Sequence, residues 1–121
     1  MVQLNFKDGL IPVAAQDYET GEVLMIAFMN ADAFDKTRKT GFVHYWSRTN
    51  SRVWMKGEIS GHVQRVKEIL VDCDEDSLVI KVDQVGAACH LGFRSCFFRT
   101  IDGTAVGQKM FDPKEVYKEH E

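Results

Sequence analysis

The residues best suited to chemistry are three thiols and one imidazole. Cys89 and Cys96 stand seven positions apart in Gly86-Ala87-Ala88-Cys89-His90-Leu91-Gly92-Phe93-Arg94-Ser95-Cys96, His90 directly follows the first, and the third cysteine is Cys73. Thiolates are soft ligands that hold Zn²⁺ well; four protein ligands close a structural site, whereas three leave a position for a working water. Three cysteines match the second number. The spacing lacks the Cys-x-x-Cys of knuckles and ribbons, so on its own it leaves three uses open: small buried hydrophobes, a reactive thiol, or metal ligands. An imidazole beside a ligand is held near any bound metal and can carry protons near neutral pH, which makes His90 the candidate proton shuttle.

Cys73 sits inside Asp72-Cys73-Asp74-Glu75-Asp76. In an extended chain this alternation sends three carboxylates to one face and the thiol to the other. Hard carboxylate oxygens suit Mg²⁺, so one segment could serve two metals sorted by ligand softness. A calcium loop is excluded, because counting from Asp72 the sixth position is Ser77 instead of glycine and the twelfth is Asp83 instead of glutamate. The plain alternative is a solvated acidic turn between two strands.

A third group is basic and aromatic. His44 to His62 carries Arg48, Arg52 and Lys56 with no acid before Glu58, in a chain whose formal net charge is -3, so any anion site is local. Arginine forks and a lysine point charge suit phosphates, and Trp46 or Trp54 could stack on a base. Single-stranded nucleic acid is the rival ligand, and a solvated cationic face over core tryptophans is the plain reading.

These groups need a scaffold. Leu10 to Ala15 and Val23 to Met29 read as strands of a hairpin around Asp17-Tyr18-Glu19-Thr20-Gly21. Asn30 caps a helix over residues 31–39, with an acid in its first turn, bases in its last and Gly41 as its stop. Phe42 to Trp46 and Val53 to Met55 read as a second pair of strands, and the runs starting at Val63 and Ser77 as an antiparallel third. Ser95 to Ile101 is predicted as another strand, and Asp112-Pro113 opens a short charged C-terminal helix. The expected fold class is α+β: a compact, mostly antiparallel β-strand domain with two short helices.

The 121 residues fit one domain, 1–121, with a core that needs no disulfide. Hydrophobic residues at 45% and charged residues at 27% exclude a disordered or collagen-like chain. An odd cysteine count argues against a disulfide framework, and no segment has the pattern of a signal peptide or a membrane span, so a cytoplasmic protein with neither membrane nor nucleic acid as partner is expected.

Four ordered motifs, Trp46-Ser47-Arg48, Trp54-x-Lys56-Gly57-Glu58-x-Ser60-Gly61, Asp72-Cys73-Asp74-x-Asp76 and Ala88-Cys89-His90-x-Gly92-x-x-Ser95-Cys96-Phe97, resemble those of the phosphoribosyl-AMP cyclohydrolases of histidine biosynthesis. Together with the helix start Met29-Asn30, the resemblance extends from about Val13 to Gly103. It implies an intertwined homodimer and a zinc- and magnesium-dependent hydrolase. Its reaction opens the adenine ring of N1-(5-phosphoribosyl)-AMP between N1 and C6, giving the formimino-linked imidazole carboxamide ribotide. Cys73, Cys89 and Cys96 are then the zinc ligands, with Cys73 joining two cysteines of the dimer partner, and Asp72, Asp74 and Asp76 are the magnesium ligands. Trp46, Arg48, Lys56, Ser60 and His62 fall in the substrate-binding set. Many members continue the tryptophan motif as Ser-Arg-Ser-Arg where this chain has Ser47-Arg48-Thr49-Asn50, so Arg48 and Lys56 rank above Arg52 as phosphate contacts. Some relatives carry a fused pyrophosphohydrolase; a monofunctional chain is expected here.

On that resemblance, a zinc-activated water attacks C6 and His90 moves the protons, with His62 or an aspartate next in line for that role. The competing class is a zinc-stabilised nucleotide- or RNA-binding module without catalysis. Thiol redox chemistry ranks third, since no Cys-x-x-Cys is present.

Overall fold

The fold was taken from a computed structural model that describes residues 2–116. Alternation of apolar and polar residues builds the sheet. Strand β1 (Ile11–Asp17) and strand β2 (Val23–Met29) form an antiparallel hairpin with Ile11 opposite Met29 and a bulge at Ala15/Gln16. In β1 every second side chain is buried, which places Ile11, Val13 and Ala15 in the core. Helix α1 (Ala31–Thr40) follows at once. The Asn30 side chain accepts the Ala33 N–H, and Gly41, at φ 79°, ends the helix by donating to the Thr37 carbonyl. Ala33 and Thr37 form its buried stripe. The Thr37 hydroxyl donates to the Ala33 carbonyl and accepts the His44 N–H at 2.9 Å, which pins the helix to the next strand.

Strands β3 (His44–Ser47) and β4 (Arg52–Met55) form a short hairpin, and β5 (Gln64–Val71) and β6 (Leu78–Gln84) a longer one. The sheet order is β4-β3-β2-β1-β6-β5, with β1 and β6 parallel and every other neighbouring pair antiparallel. The expectation of a mostly antiparallel α+β domain is met by a mixed six-stranded sheet. Its two ends are drawn together: Val43 donates to Gln64 and Val66 to Gly41, so the segment leading into β3 hydrogen-bonds to β5. The curled sheet and α1 enclose Leu24, Met29, Val43, Tyr45, Ile80 and Val82, all inaccessible to solvent.

One local expectation changes. Ser95–Ile101 is not a strand; only an isolated bridge joins Arg99 to Ala105. The Ser95 hydroxyl donates to the Val23 carbonyl and accepts the Phe97 N–H, while Thr100, Asp102 and Thr104 close a tight turn, so side chains take the hydrogen bonds a ladder would use. The C-terminal helix begins where Asp112-Pro113 predicts, with Asp112 accepting the Lys114 N–H; its described part is α2 (Pro113–Val116), and its expected continuation lies outside the described residues. No helix among the described residues is long and apolar enough to cross a membrane.

Candidate active site

Beyond β6 the chain folds into a compact loop that sets Cys89 beside Cys96. Ala88 donates to the Arg94 carbonyl, Cys89 to Phe93 and Gly92 back to Cys89, so the segment returns on itself within a few residues. Cys96 then donates to the Leu24 carbonyl at 2.7 Å, tying the loop to β2. Cys89 is buried, and its thiol is near enough to raise the pKa of Cys96. Although Cys96 as a residue is exposed, its thiol is sheltered: burial and the adjacent Cys89 push its pKa to about 11, against the pull of Lys56.

Lys56 is 8% exposed. Burial, foremost, lowers its pKa while the charges of Cys96 and Cys89 act in the opposite direction, so the ammonium and the thiol pair feel one another electrostatically. Its Nζ lies 5.9 Å from the Trp54 ring centroid. An open groove of about 660 Å³ runs from here between the β3–β4 hairpin and the turn after β4; Trp54, Lys56, Ser60 and exposed His90 line it, with Ser47, Asn50 and Arg52 further out. Arg52 is already engaged, its guanidinium reaching both Glu58 oxygens at 3.1 and 3.2 Å.

The remaining expected substrate contacts lie elsewhere. Trp46 pairs with Phe28 and Val53 across the strands, on the opposite face from Tyr45 and Ser47, and the Arg48 guanidinium sits 4.3 Å over the Phe28 ring on that same face. His62 stands at the base of the cysteine loop: its Nδ1 accepts the Ala87 N–H at 3.3 Å and its ring meets Phe111 edge-on.

The acidic segment is a turn instead of an extended run, because β5 ends at Val71 and Asp72 takes the turn's hydrogen bonds itself. One Asp72 oxygen accepts the Asp76 and Ser77 amides and the other accepts the Ser77 hydroxyl at 2.6 Å. The Ser77 hydroxyl, foremost, holds the Asp72 carboxyl below its ordinary pKa, whereas burial and then Asp72 raise that of Asp76. Carboxylate oxygens of Asp72, Asp74 and Asp76 nonetheless lie within 4.8 Å of one another, the arrangement that alternation had suggested by another route. Exposed Cys73 shares this turn, and among the described residues the three cysteines form no such cluster within one chain.

Two features were not anticipated from the sequence. One is a buried polar chain: the Tyr45 hydroxyl donates to Gln64 at 2.7 Å, Gln64 to Gln84 at 2.9 Å, and Gln84 to the carbonyls of His62 and Val85. The other is a clamp of Arg94 on Asp17. Gln84 falls in phase with Leu78, Ile80 and Val82 along β6, and Gln64 with Val66 along β5, a signal that these polar side chains face inward.

Comparison with known proteins shows the family to which the chain belongs. The family model described as phosphoribosyl-AMP cyclohydrolase matches residues 25–98. A phosphoribosyl-AMP cyclohydrolase of Methanocella arvoryzae is 58% identical over 98% of this chain and 99% of its own length. One of Methanothrix thermoacetophila is 62% identical over 90% of each chain, and one of Methanospirillum hungatei 57% identical over 100% of this chain and 93% of its own. With the matched region spanning the groove, the acidic turn and both loop cysteines, the chain belongs to the phosphoribosyl-AMP cyclohydrolase family of enzymes.

Proposed function

We propose that this enzyme hydrolyses the N1–C6 bond of the adenine ring in N1-(5-phosphoribosyl)-AMP, giving the formimino-linked imidazole carboxamide ribotide of histidine biosynthesis. The observation that carries this reading is the paired thiols of Cys89 and Cys96 beside a groove holding Trp54, buried Lys56 and His90. The family match favours it over a nucleotide- or RNA-binding module without catalysis.

Donor chemistry fits two metals. The adjacent soft thiols of Cys89 and Cys96 suit zinc, and the clustered carboxylates of Asp72, Asp74 and Asp76 suit magnesium. Cys73 completes the zinc set from a second copy. In support, it stands exposed on the acidic turn, next to an apolar groove of about 320 Å³ lined by Pro12, Ala14, Ile26, Leu70 and Val79, where Ile26 is 58% exposed. An open apolar sheet face of this kind suits association with another protein surface, and here the occupant is the second subunit of a homodimer. Trp46 and Arg48, on the same face as Phe28, meet substrate in that assembly.

When bound, zinc supplies a Lewis acid that lowers the pKa of a water, and magnesium a hard cation matched to phosphate. His90, exposed at the groove, takes the proton from the attacking water and returns one to N1 as the N1–C6 bond breaks. Lys56 contributes fixed positive charge where oxyanion character develops, and Trp54 offers a face for the base. Ser60 offers a hydroxyl within the groove, and His62 acts through the loop it braces.

The test is turnover of N1-(5-phosphoribosyl)-AMP with Mg²⁺ present by native, zinc-stripped and zinc-restored protein. Activity that disappears on stripping and returns with zinc is expected; a folded, zinc-loaded dimer without turnover overturns the assignment. His90→Ala is expected to retain zinc and lose about 10²- to 10⁴-fold in kcat, and near-normal turnover would remove His90 from the shuttle role.

A further inference from the structure

We infer that Arg94, anchored by Asp17, is a positioning residue that holds the Cys89–Cys96 pair in its metal-binding geometry. This rests on the zinc reading above and concerns a part of the chain to which that reading gives no role. Two backbone carbonyls and one distant side-chain carboxylate converge on one guanidinium. One terminal nitrogen of Arg94 donates to the carbonyls of Gln84 at 3.0 Å and Gly86 at 2.8 Å, the two ends of the step that leaves β6 for the cysteine loop. The other donates to Asp17 Oδ1 at 3.0 Å, at the end of β1 and 77 positions away. The Arg94 carbonyl meanwhile accepts the Ala88 N–H, one residue before Cys89.

The anchor is rigid. Asp17 is 5% exposed, and its second oxygen accepts both the Thr20 amide at 2.9 Å and the Thr20 hydroxyl at 2.8 Å. Arg94 thus has a fixed counter-charge on the sheet and spans to the loop from there. On the other side, Ser95 and Cys96 are tied to the Val23 and Leu24 carbonyls. Cys89 and Cys96 are therefore set relative to each other by Arg94 at one shoulder of the loop and β2 at the other. A planar fork can serve two carbonyls and a carboxylate at once; a lysine ammonium on a flexible stem can reach the carboxylate but cannot reproduce the fork. Loss of an outer partner that orients metal ligands costs about 10- to 100-fold in affinity.

The experiment titrates the full-length protein with Co²⁺ as a spectroscopic stand-in for zinc, reading affinity and the thiolate-to-cobalt charge-transfer band, with thermal melting alongside. Arg94→Ala is expected to lower Co²⁺ affinity about 10- to 100-fold and to alter the band. Arg94→Lys is expected to recover melting temperature through Asp17 without recovering affinity. Asn30→Ala, which weakens the α1 cap far from the thiols, is expected to lower the melting temperature and leave the band unchanged. Wild-type-like affinity and spectrum in Arg94→Ala overturn the positioning role, as does a fall in affinity that simply follows melting temperature across all variants. Should Arg94→Ala fail to fold, Asp17→Asn decides: a several-fold weaker, altered cobalt site is expected, and an unaltered one overturns the inference. A wild-type protein with no thiolate-to-cobalt band withdraws the zinc reading itself and the positioning role with it, an outcome separate from a wild-type band that the variants leave intact.

Discussion

The imidazole of His62 occupies the space a side chain at residue 86 would need: a Cβ added to Gly86 would lie 2.9 Å from the ring. Gly86 also has φ +67°, in the left-handed region that costs a residue with a Cβ about 1–2 kcal/mol. Gly86→Ala is therefore expected to destabilise by about 2–4 kcal/mol, combining backbone strain with overpacking. Adding His62→Ala should recover the steric part, giving a coupling of about 1 kcal/mol or more in a denaturant double-mutant cycle. Strict additivity would show that the ring moves aside freely.

Tyr45→Phe tests the buried polar chain. Tyr45 and Gln64 are both fully buried, and without the phenol the Gln64 Oε1 loses its 2.7 Å donor in a place water does not reach. A loss of about 1–3 kcal/mol is expected, seen as a lower urea midpoint with unchanged slope.

Acid should expose the Asp17 anchor. Burial pushes its carboxyl up, but the hydrogen bonds from Thr20 and the charge of Arg94 outweigh that and leave it below its ordinary value of 3.8. A depressed folded pKa gives stability that is complete above the unfolded value and is lost as pH falls through the folded one. Melts below about pH 4 should thus decline more steeply in wild type than in Asp17→Asn, while the gap between the two stays constant from pH 5 to 7. Parallel curves throughout the acid range would count against the charge as the source of the anchor's strength.

Removing donors from the two metal clusters should separate them. Cys96→Ser is expected to lose bound zinc and turnover together, and added Mg²⁺ should restore neither. Asp74→Asn is expected to keep zinc while demanding about ten-fold more Mg²⁺ for half-maximal rate, as a site losing one of three carboxylates would. Metal content by elemental analysis with Mg²⁺-dependent rates checks both, and loss of zinc in Asp74→Asn would merge the clusters into one site.

Local grammar was readable from the chain, and distant partnership was not. Asn30, Gly41 and the turn residues act within a few positions, so α1 and the hairpins followed from them. The parallel β1–β6 pair and the closure of Val43 onto Gln64 join segments that no local pattern links. The site divides in the same way. Spacing singled out Cys89, Cys96 and the three aspartates as candidates without deciding their use, and Lys56, read as a cation for phosphate, is buried beside the thiols because the turn after β4 folds inward. Arg94 gave no signal at all, since its partner lies 77 positions earlier. Ser95–Ile101 misled because an apolar run resembles a strand until its hydrogen bonds are claimed by side chains.

The parallel contact of β1 with β6 also sets an order of assembly. Val13 pairs with Leu78, across more than half the chain, so the hairpin made first carries a bare edge until the later strands arrive. Closing so long a loop is entropically slow compared with forming a hairpin. The cysteine loop follows β6 and docks onto β2 through the Cys96 N–H and the Leu24 carbonyl. The thiol pair thus reaches the arrangement seen here only once β1, β2 and β6 have met, so that two-thiol geometry is a product of long-range assembly and not of the loop by itself.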